Sequence, residues 1–138
     1  MRALFADTFY WIALADPADS SHLRALALTA RRTNSIIITT DEVLSEYLNF
    51  FAEGSDHLRR KAVFNIRCIF DNPGVRVIPQ SRRSFMGGLH LYDSRPDKGY
   101  SLVDCISMQT MRIEGLTEVL TNDRHFEQEG FRALFRDL

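Results

Sequence analysis

A chain of 138 residues with 45% hydrophobic and 25% charged residues has the size and balance of one globular domain, which buries roughly 70% of its unfolded surface and folds without staples. Its formal charge of −1 excludes attachment to nucleic acid by bulk positive charge; no run approaches the ~18 apolar residues of a membrane span, and the start lacks the basic region and long apolar stretch of a secretory signal. Cys68 and Cys105 lie far apart, each in apolar sequence and without metal-type spacing, so both read as buried free thiols in a reducing compartment, the cytoplasm.

Leu4 to Ala6 form a short apolar run of the buried-strand type, Asp7 follows it directly, and Thr8 opens a helical run from Phe9 to Ala15. Asp16-Pro17 ends that helix, because the residue before proline is pushed out of the α region. Asp19 or Ser20 can cap a second helix, with Leu23, Leu26, Ala27 and Ala30 on one face and a break at Thr33-Asn34. Ser35 to Thr39 is a β-branched strand. Thr39 and Glu42 have the spacing of a capping box for a third helix. Val43, Leu44, Tyr47, Leu48 and Phe51 make its apolar stripe, and Glu42, Glu46, Asn49 and Glu53 lie on the other side.

Gly54 ends this helix, and Ser55 or Asp56 caps a fourth that carries Leu58, Ala62, Ile66 and Ile69 along one side. Asn72-Pro73-Gly74 stops it, Val75 to Ile78 is a strand, and Pro79 closes it. Ser81 to Tyr92 is helical, with Phe85, Leu89 and Tyr92 in register and Gly87-Gly88 weakening it by roughly 1 kcal/mol per glycine. Asp93 to Gly99 is loop. Leu102 to Ile113 is a helix apolar on nearly every side, hence buried, and Gly115 ends it. Val119-Leu120 is a strand, a short helix surrounds Phe126, and Phe131 to Phe135 is a last strand. Strands alternate with helices, which predicts a parallel sheet covered on both faces in one domain.

Within this frame four acids stand out. A carboxylate at the carboxyl end of a core strand sits where open α/β sheets bind ligands; Asp7 is so placed, although it and Thr8 are also good helix caps. Asp123 follows a strand in the same way and can cap the helix near His125. Asp104 lies in the first turn of the most apolar helix, where a carboxylate needs a partner, a metal or a proton, unless it only forms a cap with Ser101. Glu46, on a polar helix face, is weak by itself. Together they have a common explanation: crowded carboxylates repel and raise one another's pKa values, and a divalent cation such as Mg²⁺, which oxygen ligands attract, removes the conflict.

Other chemistries find less support. His22, His57, His90 and His125 lack zinc-type spacing, and neither a Gly-rich phosphate loop nor a Gly-x-Ser-x-Gly elbow is present. Arg31-Arg32, Arg59-Arg60-Lys61 and Arg82-Arg83 are candidate basic patches for a nucleic-acid backbone, and each also fits a solvated helix face.

The sequence resembles the PIN-domain ribonucleases, most closely the VapC-type toxins of toxin–antitoxin pairs. The resemblance runs over the whole chain and rests on Asp7-Thr8, on Glu46 in Glu46-Tyr-Leu-Asn49, on Ser101-Leu-Val-Asp-Cys105 and on Thr121-Asn-Asp-Arg-His-Phe126. It implies a three-layer α/β/α fold with a central, mainly parallel sheet and the acids grouped at one edge. It also implies that Asp7, Glu46, Asp104 and Asp123 are the catalytic acids that bind Mg²⁺ or Mn²⁺, and that the protein is an endoribonuclease with an RNA substrate, a cognate antitoxin and a homodimeric state. Thr8, Asn49 and Ser101 are candidate supporting donors. Two rivals remain. A phosphatase using Asp7 as nucleophile would normally have a second acid close behind it, where Phe9 and Tyr10 stand. A PIN-like RNA- or protein-binding module without catalysis is disfavoured by the presence of all four acids.

Overall fold

The computed structural model describes residues 2–31 and 34–137; Arg32 of the first basic patch and Thr33 of the expected helix break lie outside the described residues. In chain order the elements are β1 (Arg2–Ala6), α1 (Thr8–Ala15), α2 (His22–Ala30), β2 (Ser35–Thr40), α3 (Asp41–Phe50), α4 (Asp56–Asp71), β3 (Val75–Ile78), α5 (Arg82–Ser94), α6 (Leu102–Glu114), β4 (Glu118–Leu120), α7 (Arg124–Gln128) and β5 (Arg132–Ala133), followed by a 3₁₀ turn, Leu134–Arg136. All strand pairings are parallel, in the order β3-β2-β1-β4-β5. β1 is thus the middle strand, flanked by β2 from Arg2 opposite Ser35 to Phe5 opposite Ile38 and by β4 at Phe5 and Ala6. That position explains why Leu4, Phe5 and Ala6 are all buried: a parallel strand covered on both faces reads as a continuous apolar run.

The chain builds outward from β1 to β3, then returns across the sheet to place β4 and β5 on the other side. With right-handed crossovers, this reversal puts the helices of the two halves on opposite faces and creates a switch point between β1 and β4, the usual place for a ligand in an open α/β sheet. The expected α/β/α architecture is therefore the observed one.

Several local expectations are corrected. Thr40, not Thr39, caps α3, accepting from the Val43 N–H at 3.1 Å. Thr39 is fully buried and donates to the Ala6 carbonyl at 2.9 Å, tying β2 to the end of β1. Neither Asp19 nor Ser20 is the N-cap of α2; Ser21 is, while Asp19 Oδ1 accepts from the Ser21 N–H. The face carrying Leu23, Leu26, Ala27 and Ala30 turns outward, with Leu23 79% exposed, and α2 buries Ala25 instead. Leu58 of α4 is exposed, as is Cys68, whereas Cys105 is buried. The apolar row Phe85, Leu89 and Tyr92 of α5 also faces out, and that helix runs on to Ser94 before the loop begins. The last strand shrinks to two residues because the chain turns into the 3₁₀ segment at Leu134.

The two glycines of α5 have opposite roles. A Cβ on Gly88 would collide with Ile106 Cγ1 of α6, so this glycine allows the two helices to approach; a Cβ on Gly87 would meet nothing within 4 Å. Gly88→Ala is expected to destabilise the protein by about 1–3 kcal/mol through overpacking, and Gly87→Ala to stabilise it by about 0.5–1 kcal/mol through lost chain entropy. Denaturant unfolding of the two variants checks both signs.

Candidate active site

Four elements deliver the acids. Asp7 leaves the end of β1 and Asp123 follows β4, on either side of the switch point; Glu46 lies on α3, which starts directly after β2; Asp104 is in the first turn of α6. Asp7 occupies the N-cap position of α1 but makes no side-chain capping bond there. Its carboxylate is only 7% exposed and accepts from the Thr121 hydroxyl at 2.8 Å, across the β1–β4 boundary. Thr8, the next residue, donates to Glu46 Oε1 at 2.6 Å and so fixes the rotamer of an acid on another element.

Asp104 forms the capping box that the sequence allowed. Its N–H donates to Ser101 Oγ at 3.0 Å, and its Oδ2 accepts from the Ser101 N–H at 3.1 Å. Asp123 caps α7 by accepting from the His125 N–H at 2.9 Å. Capping does not compete with a place in the site, because a carboxylate oxygen that accepts one N–H keeps a second lone pair. Asn49 lies exposed on α3.

The electrostatics couple the acids. Burial pushes Asp7 up to about 7; the Thr121 hydroxyl and the Thr8 N–H oppose this, and the negative charges of Asp104 and Glu46 add to it. Burial likewise raises Glu46, against the Thr8 hydroxyl and reinforced by the charge of Asp104. Asp104 is raised by burial and by the charge of Asp123, and opposed by the Ser101 N–H. Among the described residues, no lysine or arginine pairs with any of these four acids.

Glu129 shows the alternative. Its side chain is 5% exposed, yet Arg112 reaches it at 2.7 Å, Arg95 at 3.0 Å and the Tyr100 hydroxyl at 2.9 Å. Burial pushes this carboxyl up, but the three hydrogen bonds and the Arg95 charge outweigh it and hold the group at about 2. Against an ordinary 4.5, that corresponds to about 3 kcal/mol at neutral pH. Both arginines are more than one-third exposed, so screening reduces it to roughly 2 kcal/mol. A lowered carboxyl stabilises the fold above its unfolded pKa and ceases to do so as pH falls through the folded one. Glu129→Gln is therefore expected to lose roughly 2 kcal/mol at pH 7, with the gap to the parent protein closing between about pH 4.5 and 2 in thermal melts. This fold neutralises a buried structural acid with two arginines, and among the described residues it pairs none with the acids near the switch point.

The compact group within the cluster is Asp104, Asp123 and His125, which offer ligand atoms all within 4.8 Å of one another. Asp7 and Glu46 stand outside that group and are coupled to it through Asp104. The sequence sets all histidines aside, but His125 Nδ1 lies 3.2 Å from Asp123 Oδ1 and 3.9 Å from Asp104 Oδ2. Thr121 was equally unforeseen. The only signal for either was position, two residues before or after Asp123 in the run Thr121 to Phe126.

The donor set fits a divalent cation. The oxygens are carboxylates, the favoured partners of hard ions; burial and mutual repulsion raise three of them; and among the described residues no lysine or arginine pairs with them.

Comparison with known proteins agrees with this fold. The family model for the PIN domain matches residues 4–131. The chain is 27% identical over 128 residues to the 23S rRNA-specific endonuclease VapC20 of Mycobacterium tuberculosis (strain CDC 1551 / Oshkosh), covering 93% of this chain and 95% of that protein. The crystal structure of M. tuberculosis VapC20, described as a Sarcin-Ricin loop cleaving toxin, superposes with a TM-score of 0.83 at 25% identity, over 93% of this chain and 95% of the other. VapBC2 from Rickettsia felis, solved bound to a DNA fragment from its promoter, gives a TM-score of 0.67 at 15% identity, over 95% and 96% of the two chains, a likeness of fold.

Proposed function

The chain belongs to the PIN-domain family, and from that premise we propose that it is a divalent-metal-dependent endoribonuclease, the toxin of a toxin–antitoxin pair, acting in the cytoplasm as a single domain over residues 1–138. One observation carries the proposal: acids from four separate elements are drawn into one electrostatically coupled cluster, and among the described residues no lysine or arginine pairs with them. Asp7, Glu46, Asp104 and Asp123 would hold Mg²⁺ or Mn²⁺. When bound, such an ion lowers the pKa of a water and stabilises charge on the phosphate oxygens.

The chain's own residues do the rest. Thr121 orients Asp7, Thr8 orients Glu46 and the Ser101 N–H orients Asp104, so the ligand oxygens need little reorganisation on binding. Water attacks phosphorus in line, the ester bond to the leaving oxygen breaks, and that oxygen takes up a proton from solvent, so that a phosphomonoester and a hydroxyl result. Asp123, the more exposed of the compact pair at 33% against 16% for Asp104, accepts the proton of the attacking water. Exposed Arg124, next to Asp123, is suited to a backbone phosphate. Incubation of the purified protein with ribosomal RNA, in Mn²⁺ or Mg²⁺ and then in excess chelator, tests the proposal. New RNA ends appear with metal and not with chelator; intact RNA under both conditions contradicts it.

The partners follow. A cognate antitoxin is expected, by resemblance, to occlude the site. The homodimer has support in α5, whose outward row Arg82, Met86, Leu89 and Asp93 has the spacing of one helix face. Met86 is 50% and Leu89 41% exposed. An antiparallel pairing of two such helices, with its twofold axis between Gly87 and Gly88, sets Met86 against the partner's Leu89 and Arg82 against the partner's Asp93. Such a self-complementary patch is what an isologous interface requires. Leu89→Glu is expected to convert the dimer to monomer in light scattering without loss of the folded far-ultraviolet spectrum.

A further inference from the structure

We infer that His125 is a nitrogen ligand of the cation held by Asp104 and Asp123, which makes this part of the site a mixed nitrogen–oxygen position that favours Mn²⁺ over Mg²⁺. The inference deepens the proposed function and rests on it.

His125 Nδ1 is buried and has no hydrogen-bond partner among the described residues, although two carboxylates stand close to it. Neither lies in line to accept a proton from it, so hydrogen bonding does not account for the approach. The residue is held from two sides: the His125 backbone N–H donates to Asp123 Oδ1 at 2.9 Å, and the imidazole packs edge to face on Tyr100 with centroids 5.2 Å apart. The other histidines differ. His22 Nδ1 is 2.8 Å from the Ala13 carbonyl oxygen, and His57 and His90 are exposed.

The distances match ligation. With bonds of about 2.1 Å, two ligands of one octahedral ion stand between about 3.0 Å apart when adjacent and about 4.2 Å when opposite. The separations of Nδ1 from Asp123 Oδ1 and Asp104 Oδ2, 3.2 and 3.9 Å, both fall in that range. The chemistry then sets the preference: Mg²⁺ seeks oxygen and keeps its waters, whereas Mn²⁺, although the weakest binder among the first-row transition dications, accepts an imidazole nitrogen more readily than Mg²⁺ does.

The test is pulsed electron paramagnetic resonance of the full chain loaded with Mn²⁺, together with competition by Mg²⁺. The wild type is expected to show the ¹⁴N coupling of a directly bound imidazole. His125→Gln, checked for folding by circular dichroism, is expected to lose that coupling and to lower the preference for Mn²⁺ over Mg²⁺ by about tenfold. Bound Mn²⁺ without nitrogen coupling in the wild type overturns this inference and leaves the metal-dependent reading standing; coupling that persists in His125→Gln also overturns it. Absence of Mn²⁺ binding to the wild type overturns both. A wild-type spectrum without nitrogen coupling decides against it whatever the fate of the variant.

Discussion

Asp104→Asn and Asp7→Asn are each expected to lower RNA cleavage by at least about a thousandfold, the scale seen when a preorganised stabiliser of the transition state is removed, while the fold survives. Asparagine keeps the shape and one acceptor oxygen. In Asp104→Asn the retained oxygen can still accept from the Ser101 N–H, so the capping box of α6 persists. In Asp7→Asn it can still accept from Thr121. What disappears is negative charge, and with it affinity for a dication. A loss of activity accompanied by unfolding would instead assign these acids to the scaffold. Full activity in both variants would remove them from the chemistry. Gel-based cleavage assays run beside thermal melts separate the three outcomes.

The second large effect concerns stability without metal. Asp7 is held at about 7 in the fold against an ordinary 3.8, with burial as the main cause. The folded state therefore binds this proton more tightly than the unfolded chain. The protonated acid is tolerated at low pH, and stability falls as pH rises from about 3.8 and flattens above about 7, by roughly 4 kcal/mol in all. In chelator, Asp7→Asn should lack this decline and be more stable than the parent protein at pH 8. Saturating metal should reverse the ranking, since a ligand at a hundred times its Kd stabilises its folded host by about 2.7 kcal/mol and the variant binds it poorly. Melts at pH 5 and pH 8, with and without Mn²⁺, contain the whole comparison. A parent protein whose chelated stability is unchanged between those pH values would show that Asp7 carries no such burden.

The order of strands and helices was legible because it lies in local signals. The apolar run at Leu4 to Ala6, the β-branched run at Ser35 to Thr39 and the stop at Asn72-Pro73-Gly74 each act over a few residues. Their alternation is enough to imply crossovers and a parallel sheet. What periodicity left open was which face is buried. Leu23 and Leu26 of α2, and Phe85 and Leu89 of α5, have helical spacing, yet they point outward. Periodicity identifies a face; packing decides which face is covered. On α5 the decision belongs to Gly88, which lets Ile106 approach from the side the apolar count ignored.

The candidate acids could be picked out as carboxylates in places that need an explanation, at strand ends or in an apolar helix. Their supporting partners could not, because these act between elements distant in sequence. Thr121 meets Asp7, and Thr8 meets Glu46, only once β4 has been laid beside β1 and α3 over α1. Glu129, just past the end of α7, carries no local signal of its role and becomes a structural anchor through Arg95, Arg112 and Tyr100, all supplied by the α5–α6 segment.

The central claim is that acids from four elements form one seat for a small dication. Anomalous diffraction from crystals of the protein soaked in Mn²⁺ addresses it most directly. A manganese peak within bonding distance of carboxylate oxygens of Asp104 and at least one of Asp7, Glu46 and Asp123 is predicted. No peak there, with Asp7 and Asp104 left ionised, ordered and unneutralised, would contradict it.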